Sequence, residues 1–315
     1  MIQAEGLTKK FNDFTALDAI HCRIPEGCIY GMVGSNGAGK STFLRLVTGI
    51  YRPDAGSVMI DGEPVYENPH IKEQIAFVPD ELYFMNGVSM NRMADLYRAV
   101  YPAFDNARYE YLTKTFELPA GRSVNSFSKG MKRQAAIILA LSTRPKYMFF
   151  DETFDGLDPV MRNLVKTLIV KDVLENKATA IITSHSLREL EDTCDQLALL
   201  HKGGVVLESD VLNLKTSLFK LQAAYSGQYG QERFAGLDIL HYAKRGSVVT
   251  MIVKGDREET INRLKASNPL LLDVLPLTLE EVFTYELEAL GYHFDVNGYD
   301  FITEGGDERE KDMVR

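Results

Sequence analysis

The sequence predicts an α/β protein with a parallel sheet, accompanied by short antiparallel strands, a helical insertion and a small α+β domain at the C-terminal end. Two observations predict the parallel sheet. The buried strand "CIYGMVG" passes through a glycine-rich turn into the helix "KSTFLRLVTGI". Two later apolar runs, "KYMFFDE" and "ATAIITSH", are separated by a helix-like stretch from Asp158 to Asn176. Strands that alternate with helices are typical of a parallel sheet.

The remaining elements follow from changes in periodicity along the chain. Alternation in the first thirty residues, with turn signals at "NDF" and "PEG", predicts antiparallel strands. From about residue 82 to 145, apolar residues recur at helical spacing, which predicts a mostly helical insertion. After residue 219 the order strand–strand–helix–strand–helix predicts a separate unit. We therefore expect a main domain over 1–219, an accessory domain over 220–303 and a charged, disordered tail over 304–315.

Composition limits the classes of partner. The chain has 315 residues and a net charge of −9, with no long basic run, so we expect no nucleic-acid partner. Its apolar runs are shorter than the roughly 18 residues that span a bilayer. The N-terminus lacks the apolar core of a signal peptide, and the three cysteines have no metal-ligand spacing. These features indicate a cytosolic protein with reduced thiols.

"GSNGAGKS" matches the phosphate-binding P-loop pattern G-x-x-x-x-G-K-[ST]. Its glycines let backbone N–H groups surround phosphate oxygens. Lys40 is expected to reach the β- and γ-phosphates, and the Ser41 hydroxyl to ligate Mg²⁺. The predicted nucleotide-binding residues here are Gly34, Ser35, Asn36, Gly37, Ala38, Gly39, Lys40, Ser41 and Thr42.

Two strand ends supply candidate catalytic groups. Asp151 ends the strand "YMFFD" and suits the oxygen-rich ligand shell of Mg²⁺. Glu152 beside it is the candidate general base for an attacking water. His185 follows "ATAIITS" at the same expected edge, where a neutral imidazole is able to hydrogen-bond phosphate or water. A strand ending in Asp-Glu and a histidine after a strand are also common as purely structural features.

"FSKGMKRQ" begins a second helix whose N-terminus suits an anion. Ser128 is placed to cap this helix, and Gly130 leaves the N-terminus open. Unpaired N–H groups and the positive end of the helix dipole then favour a phosphate. Plain N-capping at a glycine-bearing turn is the alternative.

Taken in order, the P-loop, "FSKGM", "FFDETFDGLDP" and "TSHS" resemble the ATP-binding subunits of ATP-binding cassette (ABC) transporters, over residues 1 to about 210. "YRAVYPAFD", "SKGMKRQ" and "LTLEEVF" are similar to the bacitracin-export type of cell-envelope exporter. The resemblance implies a P-loop NTPase (ABC ATPase) fold that binds ATP and Mg²⁺. It also implies two cassettes arranged head to tail, so that Ser128 and Gly130 bind the γ-phosphate held by a second chain.

Further roles come only from this resemblance. Phe11 matches the aromatic residue that stacks on adenine, Asp158 the residue that crosses to the partner, and His185 the switch histidine. Asp80, in "FVPDELY", stands where the family has a glutamine that touches Mg²⁺ and senses the membrane partner, and so joins Ser41 and Asp151 as a metal candidate. A second departure is the signature itself, where Lys129 and Met131 replace a glycine and a glutamine.

The resemblance implies an ATPase subunit of an exporter. Its partners are an integral membrane permease and a second ATP-binding subunit, either identical or paralogous, and its location is the cytoplasmic face of the cell membrane. One alternative is a soluble ABC-type ATPase that acts on ribosomes or DNA without a permease. Another is a kinase-like P-loop enzyme, for which the signature and "DGLDP" stretches would have no role.

Overall fold

The computed structural model describes residues 1–289, 292–294 and 301–303. The chain divides into two compact units, Met1–Glu208 and a second that begins at Ser209. This division precedes the boundary expected after residue 219, and the expected charged tail over 304–315 lies outside the described residues. In the part of the chain that is described, no helix has both the length and the apolar character needed to cross a bilayer.

The first unit is built from strands and helices numbered here in chain order. Its strands are β1 (Ile2–Phe11), β2 (Phe14–Ile24), β3 (Ile29–Val33), β4 (Ala55–Ile60), β5 (Glu63–Pro64), β6 (Ile75–Val78), β7 (Tyr147–Asp151), β8 (Thr179–Ser184), β9 (Gln196–His201) and β10 (Gly204–Asp210), whose last two residues fall in the second unit. Its helices are α1 (Lys40–Val47), α2 (Pro69–Lys72), α3 (Met90–Val100), α4 (Asn106–Thr115), α5 (Lys129–Ser142), α6 (Pro159–Asn176) and α7 (Leu187–Leu190).

A six-stranded sheet in the order β10-β9-β3-β8-β7-β6 forms the centre of the first unit. β3 is parallel to β8 and β9, and β7 is parallel to β6 and β8. Every residue of β3, β7 and β8 is buried, which explains their continuous apolar runs. Val33 pairs with Ser184, and Asp151 with Thr183. The P-loop, the Asp-Glu pair and His185 therefore leave the sheet at one edge.

A four-stranded antiparallel sheet, β2-β1-β4-β5, packs beside this core. Its inward residues alternate at Ile2 and Ala4, as the sequence predicts, and an irregularity in the strand pairing then makes Leu7 the next buried residue. All three are buried in the same apolar cluster as the P-loop helix residues Phe43 and Leu44. The antiparallel sheet therefore shares its apolar core with the P-loop helix.

The segment between β6 and β7 is helical, as its periodicity predicts. α3, α4 and α5 each begin after a polar residue whose side chain accepts a hydrogen bond from the first turn: Ser89, Asp105 and Ser128. The Arg108 guanidinium of α4 bonds the Leu141 carbonyl of α5 and forms a buried ion pair with Asp172 of α6. These contacts join the helical segment to the helices that cover the sheet.

The second unit is a small α+β domain. Its sheet has the order β12-β13-β11-β14 and its core is rich in aromatic residues. Its elements are α8 (Val211–Ser217), β11 (Leu218–Ala224), β12 (Asp238–Arg245), β13 (Val248–Lys254), α9 (Arg257–Ala266), β14 (Leu271–Leu275), α10 (Leu279–Ala289), and a pair of short strands, β15 (Tyr292–Phe294) and β16 (Phe301–Thr303). Because β11 pairs with both β13 and β14, residues 218–224 are structurally part of this unit.

Candidate functional site

The P-loop occupies the turn between β3 and α1, where neighbouring atoms leave no room for a side chain at two positions. A Cβ added at Gly34 would lie 2.3 Å from the Leu200 carbonyl oxygen. One added at Gly39, where φ is 109°, would lie 2.7 Å from the Ala16 carbonyl oxygen. These close approaches explain why the backbone is able to form the loop only with glycine there. Ser35, Asn36, Gly37 and Ala38 complete the loop, and Ser41 and Thr42 begin the helix after Lys40.

Lys40 lies inside this loop. Its ammonium donates to the Gly34 carbonyl over 2.6 Å and to the Ser35 carbonyl over 3.1 Å, and its side chain is only 5% exposed. The same ammonium lies 3.1 Å from Oε1 of Glu152. A buried cation paired in this way is positioned to meet an incoming phosphate.

Asp151 is fully buried and has one oxygen without a partner. Its Oδ1 accepts hydrogen bonds from the Ser41 hydroxyl, over 3.0 Å, and from the Thr183 hydroxyl, over 2.8 Å. Its Oδ2 has no hydrogen-bond partner. Burial raises the pKa of this carboxyl above its ordinary value. An orphaned carboxylate oxygen beside a serine hydroxyl fits a divalent cation that prefers oxygen ligands.

Glu152 is held between two cationic or proton-bearing groups. Its Oε1 faces Lys40, while its Oε2 lies 3.0 Å from Nδ1 of His185 and accepts the His185 backbone N–H over 3.2 Å. The Glu152 backbone has a φ of 46°, an uncommon conformation for a non-glycine residue. The hydrogen bond to Glu152 raises the pKa of His185 above its ordinary value. The structure thus brings Lys40, Ser41, Asp151, Glu152 and His185 into one cluster.

Ser128 caps α5 at a different place from this cluster. Its hydroxyl accepts the Met131 backbone N–H over 3.2 Å, and no acidic residue lies in the first turn of the helix. A Cβ at Gly130 would lie 3.2 Å from the Gly156 carbonyl oxygen, so this turn packs against the loop after β7. Among the contacts of the described residues, none joins Ser128 or Gly130 to the P-loop.

Asp158 and Phe11 also have local contacts. The Asp158 carboxylate caps α6, accepting the N–H groups of Val160 and Met161 over 3.0 Å each, and the neighbouring Val160 is 72% exposed. The Phe11 ring, at the end of β1, is 40% exposed and packs against the Tyr51 ring in a T-shaped arrangement with centroids 5.6 Å apart. Both residues therefore remain accessible at the surface of the chain.

Asp80 pairs with a residue that the sequence did not single out. Its carboxylate oxygen lies 2.9 Å from Nη2 of Arg133, five residues after Ser128 in α5. Among the contacts of the described residues, Asp80 has none with Ser41 or Asp151. Thr183, the partner of Asp151, was also missed, although its place two residues before His185 offered a signal. No sequence feature pointed to Arg133, because its contact with Asp80 joins residues 53 positions apart.

The sequence pattern of the ABC transporter family matches residues 17–155. The ABC transporter ATP-binding protein YtrB of Bacillus subtilis is 30% identical over 284 residues, which cover 90% of this chain and 97% of YtrB. The chain belongs to the ABC transporter ATP-binding subunits. The predicted family is confirmed, and with it an ATPase of the ABC type.

Other relatives of this ABC subunit cover about two thirds of the chain. The bacitracin transport ATP-binding protein BcrA of Enterococcus faecalis is 27% identical over 217 residues, or 68% of this chain and 70% of BcrA. A solved ATP-binding subunit of an ABC transporter has a TM-score of 0.63 at 24% identity, covering 68% of this chain and 92% of its own. The dimeric cassette MJ0796 has a TM-score of 0.62 at 23% identity, covering 67% and 99%. These structures confirm the predicted α/β cassette fold.

Proposed function

We propose that two copies of this ABC ATPase, or one copy and a paralogue, hydrolyse ATP at sites shared between them and thereby drive a membrane permease. One observation carries the proposal. The chain contains the catalytic cluster around Lys40 and Glu152 and also the anion-favouring N-terminus at Ser128, yet no contact in the described residues joins them. Each half-site would then be completed by the opposite half-site of a partner chain.

Within each shared site the residues have separate tasks. Backbone N–H groups of the P-loop and the Lys40 ammonium would hold the β- and γ-phosphates. Ser41 and the free oxygen of Asp151 would hold Mg²⁺, which neutralises phosphate charge when bound. Phe11 would stack on adenine. These assignments require Lys40 to exchange its contact with Glu152 for a phosphate oxygen.

Glu152 would then act as the general base. Its carboxylate would accept a proton from the water that attacks the γ-phosphate. His185, hydrogen-bonded to Glu152, would orient this carboxylate and contact the γ-phosphate. Ser128 and Gly130 of the partner would bind the same phosphate through the N-terminus of α5, with Asp158 at the seam between the chains.

The permease would dock on the helical segment. Large apolar side chains are exposed there on the loop after β6 and on α3 and α4: Tyr83, Met85, Leu96, Val100 and Tyr111. Clusters of exposed apolar residues are typical of protein interfaces. BcrA is named for bacitracin transport and DrrA of Streptomyces peucetius for daunorubicin/doxorubicin resistance, which supports an exporter at the cytoplasmic face of the cell membrane. The second unit would be an accessory domain.

Complementation between two inactive variants tests the shared site. Lys40→Ala removes one half-site and Ser128→Phe blocks the other, so each variant alone should lose hydrolysis. In a head-to-tail mixed dimer, one of the two sites has both wild-type halves. Mixing equal amounts should therefore restore about a quarter of wild-type activity if the copies exchange freely and the sites are independent. No recovery from a mixture shown to contain mixed dimers would contradict the proposal.

A matched control separates helix capping from phosphate binding. Ser89 caps α3 as Ser128 caps α5, and losing either hydroxyl costs about 1 kcal/mol of stability. We expect Ser128→Ala to slow hydrolysis and Ser89→Ala to leave it unchanged at equal stability.

For the permease, the native protein should co-sediment with a polytopic membrane protein. Exclusive association with ribosomes or DNA would instead favour an ABC-type ATPase without a permease.

A further inference from the structure

We propose that Asp80 is a positioning residue, which holds the signature helix α5 through Arg133, and that it is not a ligand of Mg²⁺. The inference rests on the proposed function, because it concerns the segment that presents Ser128 to a partner. It also replaces the metal role that the family resemblance implied for Asp80.

The contact between the two segments is extensive. Nη1 of Arg133 donates to the carbonyl oxygens of Pro79 and Asp80, over 2.9 Å each, and Nη2 donates to the Asp80 carboxylate over 2.9 Å. Three hydrogen bonds therefore run from one guanidinium to two consecutive residues after β6. The planar donor fork of arginine suits this geometry, whereas the single ammonium of lysine does not.

Burial makes the Arg133 charge depend on Asp80. The Arg133 side chain is 2% exposed, and its Nε has no hydrogen-bond partner. A buried guanidinium is costly unless an opposite charge compensates it. Asp80 supplies the only carboxylate paired with Arg133 in the described part of the chain. Because the Asp80 side chain is 52% exposed, the pair is also within reach of a partner that docks on the loop after β6.

The pair lies where three functional segments meet. Arg133 is on the helix that Ser128 caps, and Gly130 on the same helix packs against the Gly156 carbonyl in the loop that follows Glu152. The Thr153 hydroxyl in that loop lies 3.4 Å from the Val78 carbonyl oxygen, at the end of β6. The segment at the end of β6, the N-terminal part of α5 and the loop after the general base thus each contact the other two. Loosening the Asp80–Arg133 pair should displace Ser128 relative to Glu152.

A glutamine at position 80 is neutral and would leave the buried Arg133 guanidinium without a negative charge beside it. The structure therefore accounts for Asp80 by charge pairing. We therefore expect substitution of either Asp80 or Arg133 to lower turnover, without weakening the binding of Mg²⁺ or ATP by the single chain.

The test is a double-mutant cycle on the full chain, using Asp80→Asn, Arg133→Lys and the double variant. We expect each single variant to lower kcat roughly tenfold. The double variant should lose no more than Arg133→Lys alone, because Arg133→Lys already disrupts the contact with the Asp80 carboxylate that Asp80→Asn weakens. ATP affinity of the isolated chain should be unchanged. Glu81→Gln is the matched control, since it removes the same charge from the adjacent exposed residue, and it should retain wild-type kcat.

The Mg²⁺ dependence of hydrolysis separates the two roles of Asp80. Loss of a group that orders a metal site raises the metal concentration needed by about tenfold or more. Asp151→Asn should show that rise, while Asp80→Asn and Arg133→Lys should keep the wild-type half-saturating concentration. A rise in Asp80→Asn that is absent in Arg133→Lys would assign Asp80 to the metal and overturn the inference.

Two further outcomes would also overturn it: additive losses in the double variant, or wild-type kcat in Asp80→Asn. Thermal unfolding of each variant checks that the losses of kcat do not come from a misfolded chain. Asp80→Asn is an isosteric change at an exposed side chain, so its kcat remains interpretable if Arg133→Lys does not fold. The complementation of Lys40→Ala by Ser128→Phe reports separately on the shared site. Coupling without complementation would refute the proposed function and leave the pairing intact.

Discussion

Replacing Glu152 by Gln should have opposite effects on ATP hydrolysis and ATP binding. The substitution keeps the shape of the side chain and removes its charge and its basicity. A positioned general base contributes about 10²- to 10⁴-fold to rate, which corresponds to roughly 3–5 kcal/mol of barrier. We therefore expect turnover to fall by at least two orders of magnitude.

Binding should become tighter because of the Lys40 contact. In the structure, the Lys40 ammonium lies 3.1 Å from Glu152 Oε1, and both side chains are nearly buried. A hydrogen bond to a charged group contributes about 1.5–3 kcal/mol, and ATP has to displace this one to engage Lys40. Glutamine weakens the competing contact, so ATP affinity of the single chain should rise by about tenfold or more.

The assay combines three measurements on purified protein. Phosphate release gives turnover, titration calorimetry gives ATP affinity, and gel filtration with light scattering shows whether the variant accumulates as an ATP-bound dimer. Asp155→Asn is the matched control, because Asp155 lies 3.8 Å from the same His185 nitrogen but makes no ion pair or hydrogen bond with Lys40 within the described part of the chain. Wild-type turnover in Glu152→Gln, or an equal loss in the control, would remove Glu152 from the base role.

Three further predictions concern stability and are checked by urea unfolding. Gly39→Ala should lower the free energy of unfolding by several kcal/mol, because its Cβ would meet backbone and side-chain atoms within 2.7 Å. Gly37 also has a positive φ, 82°, but open space around it, so Gly37→Ala should lower the free energy of unfolding by only about 1–2 kcal/mol. Equal losses would contradict the clash. Arg108→Met should lower the free energy of unfolding by about 3–5 kcal/mol, because it leaves the buried Asp172 charge unpaired. Adding Asp172→Leu should recover most of this loss. A double variant no more stable than Arg108→Met would argue against this explanation. For Asp61, burial raises the pKa, but hydrogen bonds from the terminal amine, a tyrosine hydroxyl and a lysine lower it below the ordinary range. Its ionised form therefore stabilises the fold above the unfolded pKa of about 3.9, and this contribution is lost as pH falls through the lower folded pKa. Asp61→Asn should thus cost about 1 kcal/mol at pH 7 and progressively less at more acidic pH, and a constant difference would refute the assignment.

The parts of the site that lie at strand ends were predictable from the sequence. Lys40, Asp151 and His185 each follow a buried apolar run, and parallel strands place their carboxyl ends at one edge of a sheet. The structure confirms the parallel pairing that brings these segments together. The boundary between the units was less predictable, because β11 carries an ordinary strand pattern and only its pairing with β13 and β14 assigns it to the second unit.

The sequence by itself determined the class of the fold, the P-loop and the order of the family's motifs, because these depend on residue types at short, regular spacings. The tertiary structure decided which charges meet: Glu152 lies between Lys40 and His185, and Asp80 pairs with Arg133. Such pairs join residues more than thirty positions apart, and their formation depends on the packing of whole strands and helices. Local pattern therefore identified the chemical groups, and burial and long-range packing assigned their partners.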